Sequence, residues 1–435
     1  MVKRNGMILA LAPLWKLTPP MPDNILHHPA FESFLAYCRE TFPPVDKGIG
    51  VPFAFLNALR SLGLPCAQNA RGIELPARPL EDVVDDLIIA IEATSTTRHY
   101  LCPLDMADTL PEMRFGGAHI AKFDAQALRK LFGDCRLARL NDGHCLDVGR
   151  LAQFHWLVVA EETSIPSRIG ERALPFLYKN LGSDLGAIDP HLGSHAPVVT
   201  QALFAILLAP WEEWHSYVEM DWRGFQIPWV YLENGDIFRN PMPVPSADLL
   251  TWEPAGYEDE YGEQIEYERP IVVHLDEEAK ATLSAIDHCC GNRLEIARLS
   301  PLFETPIEHF MVRAYFARGM DEIMAHMTAI EAGLGLRSDF RRAGGAQPKV
   351  NMTATERMIR RVSVLLHDQQ AGQDYKKLFD LRSAFVHGRA IEGAIPSADR
   401  NLARTLARRI TVALIDVANS DIAPASREDF LAHLI

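Results

Sequence analysis

The segment 276–435 constrains the fold most, because apolar residues recur through it with the spacing of amphipathic helices. Five stretches carry this spacing in succession, separated by polar or glycine-containing sequence. Thr305-Pro306 is typical of a helix start, with proline in the first turn, and the Gly333/Gly335 pair is typical of a helix end. Consecutive amphipathic helices of this kind pack as a bundle, so the sequence predicts an all-α bundle of about four to five helices here.

The part of the chain before this segment has a different character. Proline-rich sequence (PPMPDN, FPPVD, LPARP) indicates short elements with irregular connections. Further along, FDAQALRKLFG is a helix pattern that starts at Asp124 and stops at Gly133, and Asn234-Gly235 predicts a hairpin turn. We therefore expect an α+β protein with three parts: an irregular and helical segment 1–80, a mixed α/β sensory or regulatory domain 81–275, and the bundle 276–435.

Composition and the length of apolar runs limit the cellular compartments that suit this chain. Among 435 residues, 48% are hydrophobic and 23% are charged, which is ordinary for a globular protein. No apolar run approaches the roughly 18 residues that cross a bilayer, and MVKRNGMILALAPLWKL lacks the cleavage site of a secretory signal. Seven cysteines are an odd number and lie scattered, which suits a reducing compartment. The sequence thus predicts a cytoplasmic protein with no membrane partner.

The charge is unevenly distributed along the chain. The net charge is −14, yet residues 301–435 hold 18 Lys and Arg against 16 Asp and Glu. The negative charge argues against nonspecific coating of nucleic acid, while the balanced C-terminal part can meet a polyanion locally. Neither a Walker-type phosphate loop nor a dinucleotide-binding glycine motif occurs, so we expect no cofactor.

Metal binding is only weakly indicated. His99-x-x-Cys102 has ligand-like spacing, but the adjacent pair His144-Cys145 is the best second pair that the sequence offers. We therefore expect no metal site, and buried or solvated roles for these side chains.

A second dense cluster is aromatic. Residues 211–231 (WEEWHSYVEMDWRGFQIPWVY) hold seven aromatic side chains in 21 positions. Such side chains can form a ligand pocket or a platform on which bases stack. The carboxylates among them repel nucleic acid, so we interpret the stretch as part of a domain core.

The most informative motif is KKLFDLRSAFVHGRAIEG, residues 376–393. It places Arg382 and His387 five residues apart in an apolar helical pattern that stops at Gly388. At about 100° per residue the two side chains project about 140° apart on one helix. They can meet if the helix ends between them, or if a twofold-related copy brings its own pair. The structural alternative is a histidine that interacts with the negative end of the helix dipole.

These residues resemble a known family. The last 160 or so residues, about a third of the chain, are similar to an Apea-like HEPN domain. LFDLRSAFVHG matches the motif of that branch, MTAIEAGLG matches its first long helix, and TERMIRRVSVLL matches the helix between them. The resemblance implies a helical bundle that acts as a homodimer, and a metal-independent RNA endonuclease of a prokaryotic defence or toxin system.

The resemblance also implies site residues. Arg382 and His387 occupy the catalytic positions, with Ser383 and Glu331 in support. Ser383 departs from the family pattern, which prefers asparagine, aspartate or histidine. A structural alternative for Glu331 is an ion pair with an arginine of a neighbouring helix, such as Arg313 or Arg357.

The residue types suit this chemistry independently of the resemblance. RNA carries its own nucleophile, the 2′-hydroxyl, so cleavage needs a base that works near neutral pH, which histidine provides. It also needs a permanent cation for the phosphoryl oxygens, which arginine provides with bidentate geometry. The expected products end in a 2′,3′-cyclic phosphate and a 5′-hydroxyl.

Partners follow from the same motif. RNA is the expected substrate, with tRNA as a candidate, and we expect an unidentified trigger or inhibitor at the N-terminal domain. The competing interpretation is a non-catalytic HEPN module for dimerisation and for RNA or nucleotide binding. In either case five basic side chains near the motif are expected to contact RNA phosphates: Lys376, Lys377, Arg389, Arg360 and Arg361.

Overall fold

The fold is α+β, as the sequence predicted, with an N-terminal α/β region and a C-terminal helical region. The computed structural model describes residues 2–67, 78–107, 109–140, 146–180, 182–188, 193–214, 222–340, 352–389 and 393–435. None of the helices in these ranges combines the length and apolarity needed to cross a membrane.

Helices dominate the chain, and most are short. In chain order they are α1 (Val2–Trp15), α2 (Pro29–Thr41), α3 (Val51–Leu62), α4 (Leu80–Glu92), α5 (Ala125–Phe132), α6 (Asp134–Leu140), α7 (Val148–Leu151), α8 (Ile169–Ala173), α9 (Pro175–Asn180), α10 (Pro197–Leu207), α11 (Trp211–Trp214), α12 (Glu277–Ser284), α13 (His288–Leu299), α14 (Ile307–Phe316), α15 (Met320–Leu334), α16 (Ala354–Leu365), α17 (Gln369–Val386), α18 (Ser397–Ala418) and α19 (Arg427–His433).

The strands pair antiparallel throughout. They are β1 (Ser95–Leu104), β2 (Met113–Phe115), β3 (Ala118–Ala121), β4 (His155–Ser164), β5 (Tyr231–Asn234), β6 (Trp252–Glu258) and β7 (Gln264–Pro270). β1 lies between β4 and β5, β2 pairs with β3, and β6 pairs with β7 as an exposed hairpin.

The chain forms two compact units, each assembled from separate segments. The first unit comprises Met1–Asp105, Lys122–Leu192 and Ile227–Pro270, and the second comprises Met106–Ala121, Gly193–Gln226 and Ile271–Ile435. These boundaries differ from the three continuous parts expected from the sequence. The predicted segment 1–80 shares the first unit with most of 81–275, and the second unit joins 106–121 and 193–226 to the C-terminal part.

Two hydrophobic cores hold the first unit. One lies among α1 to α4, where the rings of Phe34, Phe55 and Phe238 meet edge to face at 5.3 and 5.4 Å. The other lies against β1, β4 and β5, where Trp156 packs on Phe132 with ring centroids 5.5 Å apart. The apolar ends of the strands and one face of α5 supply this second core.

Local sequence signals in the first unit had mixed outcomes. Asp124 begins α5 by accepting a hydrogen bond from Ala127 N–H (2.7 Å), and Gly133 ends it in the left-handed region, as predicted. The hairpin predicted at Asn234-Gly235 is wrong. β5 pairs with β1 instead, and Gly235 fits there because an added Cβ would lie 3.0–3.1 Å from β1 atoms.

The second unit contains the helical bundle, with more helices than the sequence predicted. The described part of 276–435 carries α12 to α19 instead of four to five helices. The pattern read as one helix after Thr305-Pro306 is broken at residues 317–319, where Gly319 has φ +59° and separates α14 from α15. Gly333 lets α15 approach α18 closely, since an added Cβ would lie 3.0 Å from Leu414.

Charged side chains are buried inside the second unit and are paired there. Glu322 of α15 accepts hydrogen bonds from the Trp222 indole (2.7 Å), Arg223 (3.3 Å) and Arg400 of α18 (2.8 Å). Arg404 of α18 lies 3.3 Å from the Glu212 carboxylate. Removing either carboxylate would leave a buried cation uncompensated, which typically costs about 3–5 kcal/mol. The described residues of 193–226 are therefore an integral part of the bundle.

Candidate functional site

The site is built on the C-terminal end of α17. His387 caps this helix, and Gly388 follows with φ +65°. Gly388 N–H donates to Phe385 C=O (3.1 Å) and Arg389 N–H donates to Ala384 C=O (2.9 Å). This pair of bonds is a Schellman motif, which needs a left-handed residue and therefore favours glycine. The predicted stop at Gly388 is thus present, and it fixes the backbone that carries His387.

One face of α17 is buried and carries the arginine. Tyr375 and Leu378 are buried, and Arg382 continues this face at helical spacing. The Arg382 guanidinium lies 3.5 Å from the Glu331 carboxylate of α15, with 29% and 28% of the two side chains exposed. This pair orients Arg382, whose side chain remains partly exposed although its Nε is buried without a hydrogen-bond partner among the described residues.

Glu331 and Tyr375 have electrostatic environments set by this contact. Burial raises the pKa of Glu331 above its ordinary value, and the charge of Arg382 partly opposes the rise. Burial also raises the pKa of Tyr375, and the nearby Glu331 carboxylate adds to that effect. Sequence reasoning missed Tyr375. Its position two turns before Arg382 on the same face was the available signal.

The opposite face of α17 is polar and carries the histidine. Lys376, Asp380, Ser383 and His387 follow one another at spacings of four, three and four residues, and we call them the polar stripe. Lys376, Asp380 and His387 are exposed, and Ser383 is half-buried. The Ser383 carbonyl accepts the backbone N–H of His387 (3.1 Å). Ser383 and His387 are therefore neighbours on one helix face, as an orienting role for the serine requires.

Arg382 and His387 of one chain lie on different faces. α17 stays helical through Val386, so the helix does not end between the two residues. Their side chains keep the roughly 140° separation of a regular helix. Of the two routes to convergence that the sequence left open, the twofold-related copy is the one compatible with this helix.

Apolar side chains flank the motif and are open to solvent. Phe385 is 48% exposed and Val386 is 52% exposed, in the last turn of α17. Large apolar residues at this exposure are unremarkable singly, but here two are adjacent and lie between Arg382 and His387 in the chain. A second copy packing on this turn would cover them.

The five predicted RNA-binding cations have different environments. Lys376, Arg360 and Arg389 are exposed. Lys377 is also exposed and forms an ion pair with Asp399 of α18. These four remain candidates for phosphate contact.

The prediction that Arg361 contacts RNA is wrong, because its side chain is buried. Only 1% of its side chain is exposed, and its guanidinium donates to the carbonyls of Leu431 (3.1 Å) and Leu334 (2.9 Å) and to the Asp339 carboxylate (2.5 Å). It ties α16 to the end of α15 and to α19 and cannot reach RNA. Its position between Met358 and Val362 on the apolar face of α16 was the signal that it is buried.

The structure also bears on the suggested ion pair of Glu331 and on the side chains considered as metal ligands. Arg357 lies 3.3 Å from Asp339, so Glu331 pairs with Arg382 and not with this suggested partner. His99 lies 3.4 Å from Glu233. His144 and Cys145 fall outside the described residues, and within the described ranges no group of three or more His, Cys, Asp or Glu side chains is placed to hold a metal ion.

Comparisons with known proteins add no relative. Family models, curated proteins and solved structures were compared with the chain, and none of them matches it. The likeness to HEPN domains therefore stays a prediction that rests on the motif residues of α15, α16 and α17.

Proposed function

We propose that the chain is a cytoplasmic, metal-independent RNA endonuclease of the HEPN type that works as a homodimer in a prokaryotic defence or toxin system. The observation that carries the proposal is the end of α17. A partly open arginine held by Glu331 and an exposed histidine on a fixed helix cap lie five residues apart. Together these are a phosphate clamp and a proton acceptor, each held by a rigid element.

The proposed reaction uses the substrate's own nucleophile. His387 takes the proton of the RNA 2′-hydroxyl, the 2′-oxygen attacks phosphorus, and the bond to the 5′-oxygen breaks. Arg382 binds the phosphoryl oxygens, on which negative charge grows in the transition state. The leaving 5′-oxygen receives a proton from the second histidine of the dimer. The products are a 2′,3′-cyclic phosphate and a 5′-hydroxyl.

The dimer is part of the proposal for a geometric reason. Arg382 and His387 project from different faces of α17, so one chain does not aim both at a single phosphate. In a twofold dimer, the arginine of one copy and the histidine of the other can face the same cleft. The exposed Phe385 and Val386 supply an apolar contact for such a dimer.

A competing proposal is a non-catalytic dimeric module that binds RNA or a nucleotide. The observation in its favour is the Arg382–Glu331 contact at 3.5 Å, which gives the arginine a structural role of its own. A binding module would keep its affinity without His387, because removing a base leaves the phosphate contacts in place.

The test is RNA cleavage in excess EDTA, with total RNA and tRNA as substrates and end-group analysis of the products. We expect cyclic-phosphate ends, and a loss of about a hundred- to ten-thousandfold in the cleavage rate for His387→Ala. Because His387 is exposed, this substitution should leave the midpoint of thermal unfolding unchanged, so the loss reports on chemistry.

Arg382→Gln should also abolish cleavage, with a small loss of stability because Glu331 loses its partner. The matched control is His367→Asn, at an exposed histidine of the same unit whose φ of +50° asparagine tolerates. Cleavage that survives both site variants, or that stops with EDTA alone, contradicts the nuclease. RNA binding by all forms with cleavage by none establishes the binding module.

A further inference from the structure

The first unit contains a cavity that neither the proposed nuclease nor the sequence motif uses. It has a volume of about 460 Å³, which is within the range of small-molecule sites. It lies beside the N-terminal half of β1, next to α8, α9 and the loop that follows β5. Its charged and hydroxyl-bearing lining residues are Arg98, Glu171, Arg172, Tyr178, Asp236 and Arg239.

The two carboxylates of this lining already have cationic partners. Asp236 lies 4.0 Å from the buried guanidinium of Arg172, and it also accepts the backbone N–H of Phe238. Glu171 lies 3.8 Å from Arg168. The acidic charge of the cavity is thereby largely balanced within the protein itself.

Arg98 and Arg239 are less completely compensated. The Asp236 charge also acts on Arg239, but Arg172 shares it, and Arg239 Nε donates to the Arg172 carbonyl (3.3 Å). Among the residues that the structure describes, no carboxylate lies within ion-pair distance of either guanidinium. The Nε of Arg98 is buried without a hydrogen-bond partner among the same residues. Glu161, which faces Arg98 across β1 and β4, accepts a hydrogen bond from the Tyr100 hydroxyl (3.0 Å), and that hydroxyl accepts one from the Arg98 side chain.

The positive charges of Arg98 and Arg239 also repel each other. Burial lowers the pKa of Arg239, the positive charge of Arg98 lowers it further, and the negative charge of Asp236 partly opposes both effects. Two like charges at one partly buried place are unfavourable unless an anion joins them. The lining holds three guanidinium groups against two carboxylates, so the cavity has a net positive charge that favours an anion.

Surrounding hydrogen bonds hold the cavity walls in place. Arg172 donates to the carbonyls of Ala90 (2.8 Å), Ala93 (2.9 Å) and Pro166 (3.0 Å). Arg136 of α6 donates to the carbonyl of Asn234 at the end of β5 and to two carbonyls of the loop that follows, those of Asp236 (2.9 Å) and Arg239. The loop that carries Arg239 is thus fixed before any ligand arrives, which lowers the entropic cost of binding.

We propose that this cavity binds a small phosphate ester, with the phosphate between Arg98 and Arg239. Guanidinium groups bind phosphate through paired, charge-assisted hydrogen bonds. The volume exceeds that of a phosphate group alone and leaves room for an organic part. Tyr178 can pack on or hydrogen-bond to that part, and the Asp236 and Glu171 carboxylates can accept from its hydroxyl or amino groups. A nucleoside monophosphate has this size and these groups. The site is independent of RNA cleavage.

The test is isothermal titration of the full chain with AMP, inorganic phosphate, adenosine and succinate. We expect binding of AMP and, more weakly, of phosphate, with no binding of adenosine. Arg98→Gln and Arg239→Gln should each weaken AMP binding by about 10- to 100-fold, because each removes a charged donor. The matched control is Arg129→Gln, an exposed arginine of the same unit outside the cavity, which should bind as the unaltered chain does.

Several results would overturn the proposal. They are failure of both AMP and phosphate to bind at millimolar concentration, unchanged affinity in both cavity variants, and succinate binding as tightly as phosphate. Circular dichroism verifies that each variant is folded. If Arg98→Gln does not fold, Arg98→Lys replaces it, since it keeps the charge, loses the paired donors and should give an intermediate affinity.

Discussion

His326 is a titratable group that the second unit keeps entirely from solvent. Its side chain is 0% exposed, and among the described residues neither ring nitrogen has a hydrogen-bond partner. Burial lowers the pKa of His326 well below its ordinary value, and the charges of Arg404, Arg223 and Arg400 lower it further. The folded protein therefore holds this imidazole neutral.

The consequence is a loss of stability in acid. Above about pH 6.5 the histidine is neutral in both the folded and the unfolded chain and contributes nothing to the pH dependence. Below that value His326 binds a proton in the unfolded chain but not in the folded chain. We expect the free energy of unfolding to fall by up to about 1.4 kcal/mol per pH unit from this group.

Urea unfolding between about pH 5 and pH 7.5 measures this slope. His326→Gln should flatten it, because glutamine does not titrate. His433→Gln, at an exposed histidine of the same unit, should leave the acid slope as it is. Equal slopes for the unaltered chain and His326→Gln would show that the buried imidazole is not the source.

Single residues were predictable where one local signal decided their role. Gly388 and Asp124 were read correctly from the sequence, because helix ends depend on a few neighbouring residues. Arg361 was misread, because a basic residue beside Arg360 looks like part of a surface patch. Its burial depends on partners about 22 to 70 positions away, Asp339 and Leu431, which no local pattern reveals.

At the scale of elements, the cap of α17 is the feature on which the proposed site depends. Gly388 adopts φ +65° with no atom within 4 Å of a Cβ built there. An alanine at this position meets no clash, and its cost is the left-handed backbone alone, about 1–2 kcal/mol. That penalty falls on the turn that holds His387.

We expect Gly388→Ala to destabilise the protein by about 1–2 kcal/mol and to reduce RNA cleavage by more than this loss of folded protein explains. Urea unfolding and cleavage rates measure the two effects. Gly393 offers a matched control, because it has φ +82° and the same open surroundings. If Gly393→Ala slows cleavage as much as Gly388→Ala does, the helix cap has no special role.

Elements with strong helical spacing were predicted, and their breaks were not. The helical spacing of apolar residues over α14 and α15 continues through residues 317–319. This spacing therefore gives no sign of the interruption at Gly319. The aromatic stretch 211–231 was expected to be core, and Trp211, Trp222 and Phe225 are indeed buried. The hairpin predicted at Asn234-Gly235 was wrong, because a turn dipeptide does not specify which strand pairs with the one before it.

At the scale of the whole molecule, the proposed nuclease depends on a second copy. Phe385→Glu places a charge on a side chain that is 48% exposed, so the fold should lose no more than about 0.5 kcal/mol. We expect this substitution to separate the dimer and to abolish cleavage. Sedimentation velocity measures the first effect and the EDTA-resistant RNA assay the second.

Ile422→Glu is the comparison, because Ile422 is a more exposed apolar residue after α18. It should leave both the dimer and the activity intact. A Phe385→Glu protein that stays dimeric and active would move the interface elsewhere. One that is monomeric and active would mean that a single chain suffices.

The division into units was the part of the fold least accessible to sequence reasoning. A boundary near residue 275 follows from the change to helical patterns, yet the second unit also takes in 106–121 and 193–226. The contact of Trp222 with Glu322 joins residues 100 positions apart. Charged residues such as Glu322 on apolar helices indicate that a buried partner exists, but not which residue it is.

This discontinuity has a consequence during synthesis on the ribosome. Seven of the eleven residues of α10 are buried, the helix contacts α14 and α13, and Arg404 of α18 donates to the carbonyl of Leu207 at its end. At about 5–20 residues per second, α14 emerges roughly 5–20 s after α10, and α18 about twice as late. During that interval the nascent chain displays an apolar helix with nothing to cover it. Yield should therefore depend on chaperone supply and on codon choice between residues 208 and 418.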